Sequence, residues 1–102
     1  MAFNGTEGAE VTLSTGSTLT AEYRTQNPGD TKGHFYGKDI LNDLLNQNGC
    51  MGIRIYYGID GDGNKELVLV GADQAECDLT DLVVDVSSPC PNRCSKQNAL
   101  NS

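Results

Sequence analysis

Residues 51–73 read MGIRIYYGIDGDGNKELVLVGAD, and this stretch decides the fold that the sequence predicts. Two runs rich in Val, Ile, Leu and Tyr flank a cluster of Gly, Asp and Asn. β-Branched and aromatic side chains suit a pleated, half-buried strand, whereas Gly, Asp and Asn tolerate the positive φ angles of a tight reversal. The stretch therefore predicts a β-hairpin.

The second strand of this hairpin is predicted to be central in its sheet. Residues 67–70 are apolar at every position, which is typical of a strand covered on both faces. Leu82, Val84 and Val86 then fall at every second position and predict a third strand. The simplest arrangement of the three strands is an antiparallel meander.

The register of the hairpin depends on the length of its loop. One register places Leu67 and Leu69 on the same face as Ile53 and Ile55, and the other places the intervening valines there. A shift of one residue exchanges the two faces of a strand. The sequence leaves both registers open.

A short first helix is predicted around Leu19 and Tyr23, which are four residues apart. Ser17 and Thr18 precede them as candidate N-caps. Pro28 lies in an Asn-Pro-Gly turn, which ends the helix.

The second predicted helix is the clearer one. Ile40, Leu41, Leu44 and Leu45 form one apolar stripe, and Gly49 is a suitable residue to end the helix. We expect Leu44 and Leu45 to be buried beneath the sheet.

These elements predict an α+β fold with two short helices packed on a small antiparallel sheet. Alternation in residues 10–14 allows a fourth, N-terminal edge strand beside the three-stranded meander. We expect residues 1–9 to form a flexible arm, residues 10–86 a single α+β domain, and residues 87–102 an irregular tail containing Cys and Pro.

Composition narrows the classes of function. The chain has 102 residues, no Trp and a formal charge of −7, and this negative field disfavours binding to nucleic acid. No apolar run approaches the roughly 20 residues of a membrane helix, so membrane insertion is not expected. The first residues lack the pattern of a signal peptide, which favours a cytoplasmic location and leaves export without a signal open.

The hairpin loop contains the weakest metal candidates. Asp60, Asp62 and Asn64 place oxygen atoms at alternate positions, as calcium loops do. Lys65 stands where the EF-hand pattern requires Gly, and strands rather than helices flank the loop. A plain hairpin loop is the favoured interpretation, and no cofactor is expected.

Four cysteines offer three chemistries: Cys50, Cys77, Cys90 and Cys94 could form disulfides, remain thiols or bind zinc. Cys90 and Cys94 are separated by three residues, a spacing weakly compatible with a pair of zinc ligands. All three chemistries remain open at the level of sequence.

An enzyme is not expected. His34 is the sole histidine, and with Cys50 it forms the only candidate pair of base and nucleophile. The sequence contains no serine-hydrolase, phosphate-loop, dinucleotide-binding or zinc-protease motif.

The most specific features of the chain are the strand start GCMGIR at residues 49–54 and the Cys90-Pro91 tail with Cys94. Together with the hairpin and the second helix, they resemble a group of small uncharacterised bacterial proteins of similar length. The resemblance covers most of the chain after the first ten residues. It implies a bacterial origin and a stand-alone domain, and it implies no activity.

The resulting hypothesis is a non-catalytic structural or interaction protein that associates with itself. A small core, a sheet that is apolar on both faces and two polar ends favour contacts between copies, through the sheet and through residues 1–14 and 87–102. Pairing of Cys90 or Cys94 between copies would make such contacts covalent. The alternative is a small Cys-dependent module that binds metal or regulates through its thiols.

Overall fold

The computed structural model describes residues 2–102. It contains two helices and five strands: α1 (Leu13–Gln26), β1 (Gly33–Phe35), α2 (Lys38–Leu45), β2 (Cys50–Ile59), β3 (Lys65–Asp73), β4 (Asp78–Val84) and β5 (Ser88–Cys90). The strands form two antiparallel sheets, β2-β3-β4 and β1-β5. The predicted α+β class and the three-stranded meander are confirmed.

The chain divides into two compact units. The meander unit contains residues 2–8 and 36–87, and the helical unit contains residues 9–35 and 88–102. Each unit combines one helix with one sheet.

The register of the hairpin places the leucines of β3 on the face that α2 covers. Ile55 pairs with Leu69 and Tyr57 pairs with Leu67. Leu44 of α2 is fully buried, and it forms the core with Leu69 and Val84. The five-residue loop at 60–64 settles the question that the sequence leaves open.

One of the two helix residues predicted to be buried is not. Leu44 is 0% exposed, whereas Leu45 is 46% exposed. Successive helix residues are about 100° apart, so the last residue of a short helix can lie at the margin of its apolar stripe. The prediction for Leu45 is therefore wrong.

β4 ends two residues earlier than the alternating pattern predicts. Val84 is its last residue and is buried, whereas Val86 has φ 60° and is 94% exposed. The left-handed backbone at Val86 ends the extended conformation that the alternation requires.

The opposite face of the meander is also covered in part. Val70 and Ala72 are each only 3% exposed on this face. Phe3 lies at the end of β3, where its amide donates to the carbonyl of Gln74 at 3.0 Å. Its ring also lies under the guanidinium of Arg54, 5.5 Å from the ring centroid. Residues 2–8, expected to form a flexible arm, thus make specific contacts within this unit.

The helical unit corrects the predicted N-terminal edge strand. Residues 10–14 contain the N-cap Thr12 and the first two residues of α1, not a strand. The hydroxyl of Thr12 accepts a hydrogen bond from the amide of Thr15 at 3.1 Å, which satisfies a helix amide that would otherwise lack a partner. α1 includes Leu19 and Tyr23 as predicted, but it begins before the expected caps.

Part of the C-terminal segment, residues 88–90, forms a strand. β5 pairs with β1, with Gly33 opposite Cys90. Further along, the guanidinium of Arg24 donates to the carbonyl of Leu100 at 2.6 Å, and Lys32 Nζ donates to that of Asn101 at 3.1 Å. Residues 88–102 contain few apolar side chains, and they are held by backbone pairing and by hydrogen bonds from Arg24 and Lys32 to carbonyl groups.

Candidate association edge

The loop of the hairpin is organised by the Asp60 carboxylate. Its Oδ1 accepts from the backbone amides of Asp62 and Asn64, each at 2.9 Å. These hydrogen bonds, that of Asn64 first, lower the pKa of Asp60. Gly63, at φ 84°, closes the turn by donating to the carbonyl of Asp60 at 3.1 Å. Asp60 and Asn64, two of the calcium candidates, are thus bonded to each other in the loop.

The same loop fixes the direction of the backbone groups along β2. The amide of Asp60 donates to the carbonyl of Asn64 at 2.9 Å, which marks this pair as a hydrogen-bonded one. Hydrogen-bonded and non-bonded pairs alternate in an antiparallel ladder, and the register is unbroken from Ile59 back to Gly52. The odd-numbered residues of β2 therefore direct their N–H and C=O groups away from β3.

β2 is an edge strand, since β3 is its only neighbour in the sheet among residues 2–102. The outward-facing backbone groups belong to the same residues that carry exposed apolar side chains. Ile55 is 53% exposed, Tyr57 94% and Ile59 73%. An exposed apolar edge strand is a template for pairing with another strand. We call Ile55, Tyr57 and Ile59 with their outward backbone groups the association edge.

A polar cluster joins the two outer strands across β3. The Asp78 carboxylate accepts from Arg54 Nη1 and from the Tyr56 hydroxyl, each at 2.5 Å. Arg54 also donates to the carbonyl of Glu76 at 3.2 Å. No local pattern marks Asp78, because its partners lie two strands away and a bulge in β4 sets its position opposite Ala72.

These contacts perturb the ionisation of the cluster. The Tyr56 hydroxyl and then the Arg54 guanidinium lower the pKa of Asp78. The same hydrogen bond to Asp78 raises the pKa of Tyr56, because loss of its proton would place two anions together.

We expect the contribution of Asp78 to stability to depend on pH. Because its folded-state pKa is lowered, the contribution is complete above the unfolded-state pKa, near 3.9, and is lost as pH falls through the folded-state pKa. Asp78→Asn should therefore destabilise the protein at neutral pH and lose this effect in acid. Urea unfolding across a pH series measures the difference.

Asp81→Asn is the control for this series, because Asp81 is an exposed position of the same strand. It should change stability little at neutral pH. A destabilisation by Asp78→Asn that stays constant from neutral pH into acid would show that its charge does not act as described.

A second polar cluster lies where β3 begins. The carboxyl groups of Glu66 and Asp85 share a hydrogen bond, which raises the pKa of Glu66. Tyr36 donates its hydroxyl to the carbonyl of Leu67, and burial raises the pKa of Tyr36. The cluster fixes the segment before α2 and the segment after β4 to the start of β3.

A surface groove of about 460 Å³ lies where β2 begins. Its lining comes from the N-terminal arm, from the end of α2, from the first half of β2 and from β3. The lining residues are Phe3, Gly5, Glu7, Leu45, Met51, Gly52, Ile53, Arg54 and Ala72.

The structure selects among the options for the cysteines. Cys90 and Cys94 form a disulfide within the chain, so neither sulfur is a thiolate that could bind zinc or link two copies. Cys50 and Cys77 are free. Cys50 is half-buried and its thiol donates to the carbonyl of Gly52 at 3.2 Å, whereas Cys77 is exposed.

The other predicted site residues belong to different units. His34 is in β1 opposite Pro89, in the helical unit, and Cys50 begins β2 in the meander unit. Their pairing as base and nucleophile stays a prediction. Within residues 2–102, no three His, Cys, Asp or Glu side chains are grouped so that they could hold a metal ion.

Comparison with protein-family models, curated proteins and solved structures finds no match to this chain. The resemblance to small bacterial proteins therefore stays a prediction. Neither helix within residues 2–102 has the length and apolar character needed to cross a bilayer.

Proposed function

We propose that this protein is a non-catalytic structural protein that associates with itself through the association edge of β2. The observation that carries the proposal is Tyr57, which is 94% exposed between two exposed isoleucines on an edge strand. Isolated apolar residues are common on protein surfaces, but here they coincide with backbone groups that face away from β3 and have no partner strand within residues 2–102. Strand addition would bury the side chains and pair the backbone in one step.

A second copy of β2 fits this edge because the sequence of residues 55–59, IYYGI, is nearly palindromic in its apolar pattern. In an antiparallel pair centred on Tyr57, the two Tyr57 residues are directly opposite, and Ile55 lies opposite Ile59 of the second copy. These odd-numbered residues direct their N–H and C=O groups away from β3, so each facing pair can be hydrogen-bonded between the two copies. The contact is isologous, as two-fold symmetry requires.

Charge also favours this register. Residues 55–59 contain no charged side chain, although the chain carries a formal charge of −7. Arg54 and Asp60 flank the edge, each bonded within its own chain, and the register centred on Tyr57 places each opposite the other of the second copy, so that no like charges face each other. Opposite charges at directly facing positions stabilise a strand pair, whereas like charges destabilise it.

The terminal segments support the proposal less than the sequence suggests. Residues expected to be free for contact between copies instead bond within their own chain, as Phe3 does to Gln74 and β5 does to β1. The proposal therefore assigns association to β2 and not to the ends.

The test is sedimentation equilibrium over a wide range of protein concentration, with Tyr57→Glu as the variant. Two carboxylates would face each other at the two-fold axis, and the buried tyrosine pair would be lost. We expect the dimer dissociation constant to rise about tenfold or more, which corresponds to about 1.4 kcal/mol. Because Tyr57 is exposed within its own chain, the variant should fold normally.

Val86→Glu is the matched control. Val86 is also 94% exposed and in the meander unit, but it lies outside all strands. It should leave the dissociation constant unchanged. A wild-type chain that remains monomeric at every concentration would refute the proposal, as would equal weakening by the two variants.

A further inference from the structure

We infer that the N-terminal arm, residues 2–8, is an intramolecular stop that confines strand pairing to the second half of β2 and thereby sets the register of the dimer. The inference rests on the proposed function. It concerns a different part of the molecule, however, so the two can fail separately.

The arm is bonded to the meander through Phe3 and is folded on itself through Glu7. Phe3 bonds to Gln74 at the end of β3 and stacks with Arg54 of β2. Further along, the Glu7 carboxylate accepts from the amides of Asn4 and Gly5 at 3.1 and 3.0 Å, which folds the arm on itself.

Gly5 brings the arm close to the backbone of β2. Its φ of 89° is a conformation that L side chains rarely adopt, and a methyl group added there would lie 3.5 Å from the carbonyl oxygen of Met51. The arm therefore passes close to Met51, at the bulge between Cys50 and Gly52.

Exposure along β2 increases between Arg54 and Ile55. Gly52, Ile53 and Arg54 are half-buried, Ile53 partly by the core beneath α2, whereas Ile55 and Tyr57 are exposed; Met51, beside Gly5, is 38% exposed. The boundary coincides with the residues that line the groove beside the arm, since Ile53 and Arg54 belong to the lining and Ile55 does not.

This boundary discriminates between registers. Pairing centred on Tyr57 uses only the open half of β2 for its apolar contacts. Pairing centred on Ile55 would instead place Ile59 of the second copy opposite Met51, where Gly5 lies. The shifted register therefore requires the arm to leave, and the arm excludes it while in place. The arm thus adds a steric barrier to the apolar pattern that already favours the register centred on Tyr57.

Cysteine cross-linking tests the inference in full-length protein with Cys50→Ala and Cys77→Ser. Residues directly opposite in a hydrogen-bonded pair have Cα atoms about 5.5 Å apart, within the range of a disulfide. Tyr57→Cys reports the register centred on Tyr57, and Ile55→Cys reports the shifted one. With the arm intact, we expect only Tyr57→Cys to give a linked dimer under mild oxidation.

The arm is then loosened by Phe3→Ala, which removes the ring beneath Arg54, and separately by Glu7→Ala, which removes the acceptor of two arm amides. Either change should raise the cross-linking rate of Ile55→Cys several-fold. Glu10→Ala, an exposed position just beyond the arm, should leave the rate unchanged. Circular dichroism verifies that each variant is folded.

The outcomes separate the two proposals. If Tyr57→Cys links and the rate for Ile55→Cys is insensitive to both arm variants, the stop is refuted and self-association stands. If the intact chain is monomeric and the arm variants dimerise, the arm is a stop and the proposed function of the intact chain fails. Monomers throughout would overturn both.

Discussion

Leu44→Ala is expected to lower the free energy of unfolding by about 2–5 kcal/mol, because it removes a fully buried side chain and leaves a cavity between α2 and the meander. Leu44 contacts a core that contains Leu69 and Val84, so one substitution weakens the packing of α2 on two strands. Chemical denaturation, performed at a single low protein concentration, measures the loss without a contribution from association.

Leu45→Ala is the matched control, since it removes the same atoms one residue further along the same helix. Leu45 is 46% exposed, so we expect a loss of about 1 kcal/mol or less. Similar losses of stability for the two variants would contradict the placement of α2, because they would mean that Leu44 is no more buried than Leu45.

Gly71→Ala is expected to destabilise the protein by about 1–3 kcal/mol through overpacking. A Cβ at Gly71 would lie 2.7 Å from Nε2 of Gln47, 3.0 Å from Sγ of Cys50 and 3.3 Å from the carbonyl oxygen of Leu44. The Gln47 amide can move, but in doing so it gives up its 2.9 Å hydrogen bond to Leu44. The backbone of α2 must then shift to relieve the remaining contacts.

Gly52→Ala is the control for this substitution. Gly52 lies in the neighbouring strand, and a Cβ there would meet nothing within 4 Å. It should change stability by about 0.5 kcal/mol or less. If Gly71→Ala proved as mild as Gly52→Ala, the close approach of the C-terminal end of α2 to β3 would be wrong.

The elements that the sequence predicts correctly are those specified by neighbouring residues. The hairpin follows from two β-type runs around a Gly- and Asp-rich turn, and α2 follows from an apolar stripe at helical spacing. Both patterns are repeated over several residues, so the conformation that each segment prefers is also the one that buries its apolar side chains. The buried position of Leu44 is predicted for the same reason.

The elements that the sequence does not predict depend on partners far along the chain. β1 and β5 are three residues each and become strands only because they pair with each other. Residues 10–14 alternate as a strand would, but the cap at Thr12 favours a helix. The contact of Arg54 and Tyr56 with Asp78 requires β3 between them.

For the association edge, the sequence by itself determined the alternating apolar residues of β2 and the loop that reverses the chain. Only the tertiary structure decided that β2 lies at the edge of the sheet, that Leu67 and Leu69 turn toward α2, and that the arm passes beside the start of the strand. The physical reason is that a period of two specifies which residues share a face but not which face is buried. That choice is made by the elements that pack against the sheet, and they come from distant parts of the chain.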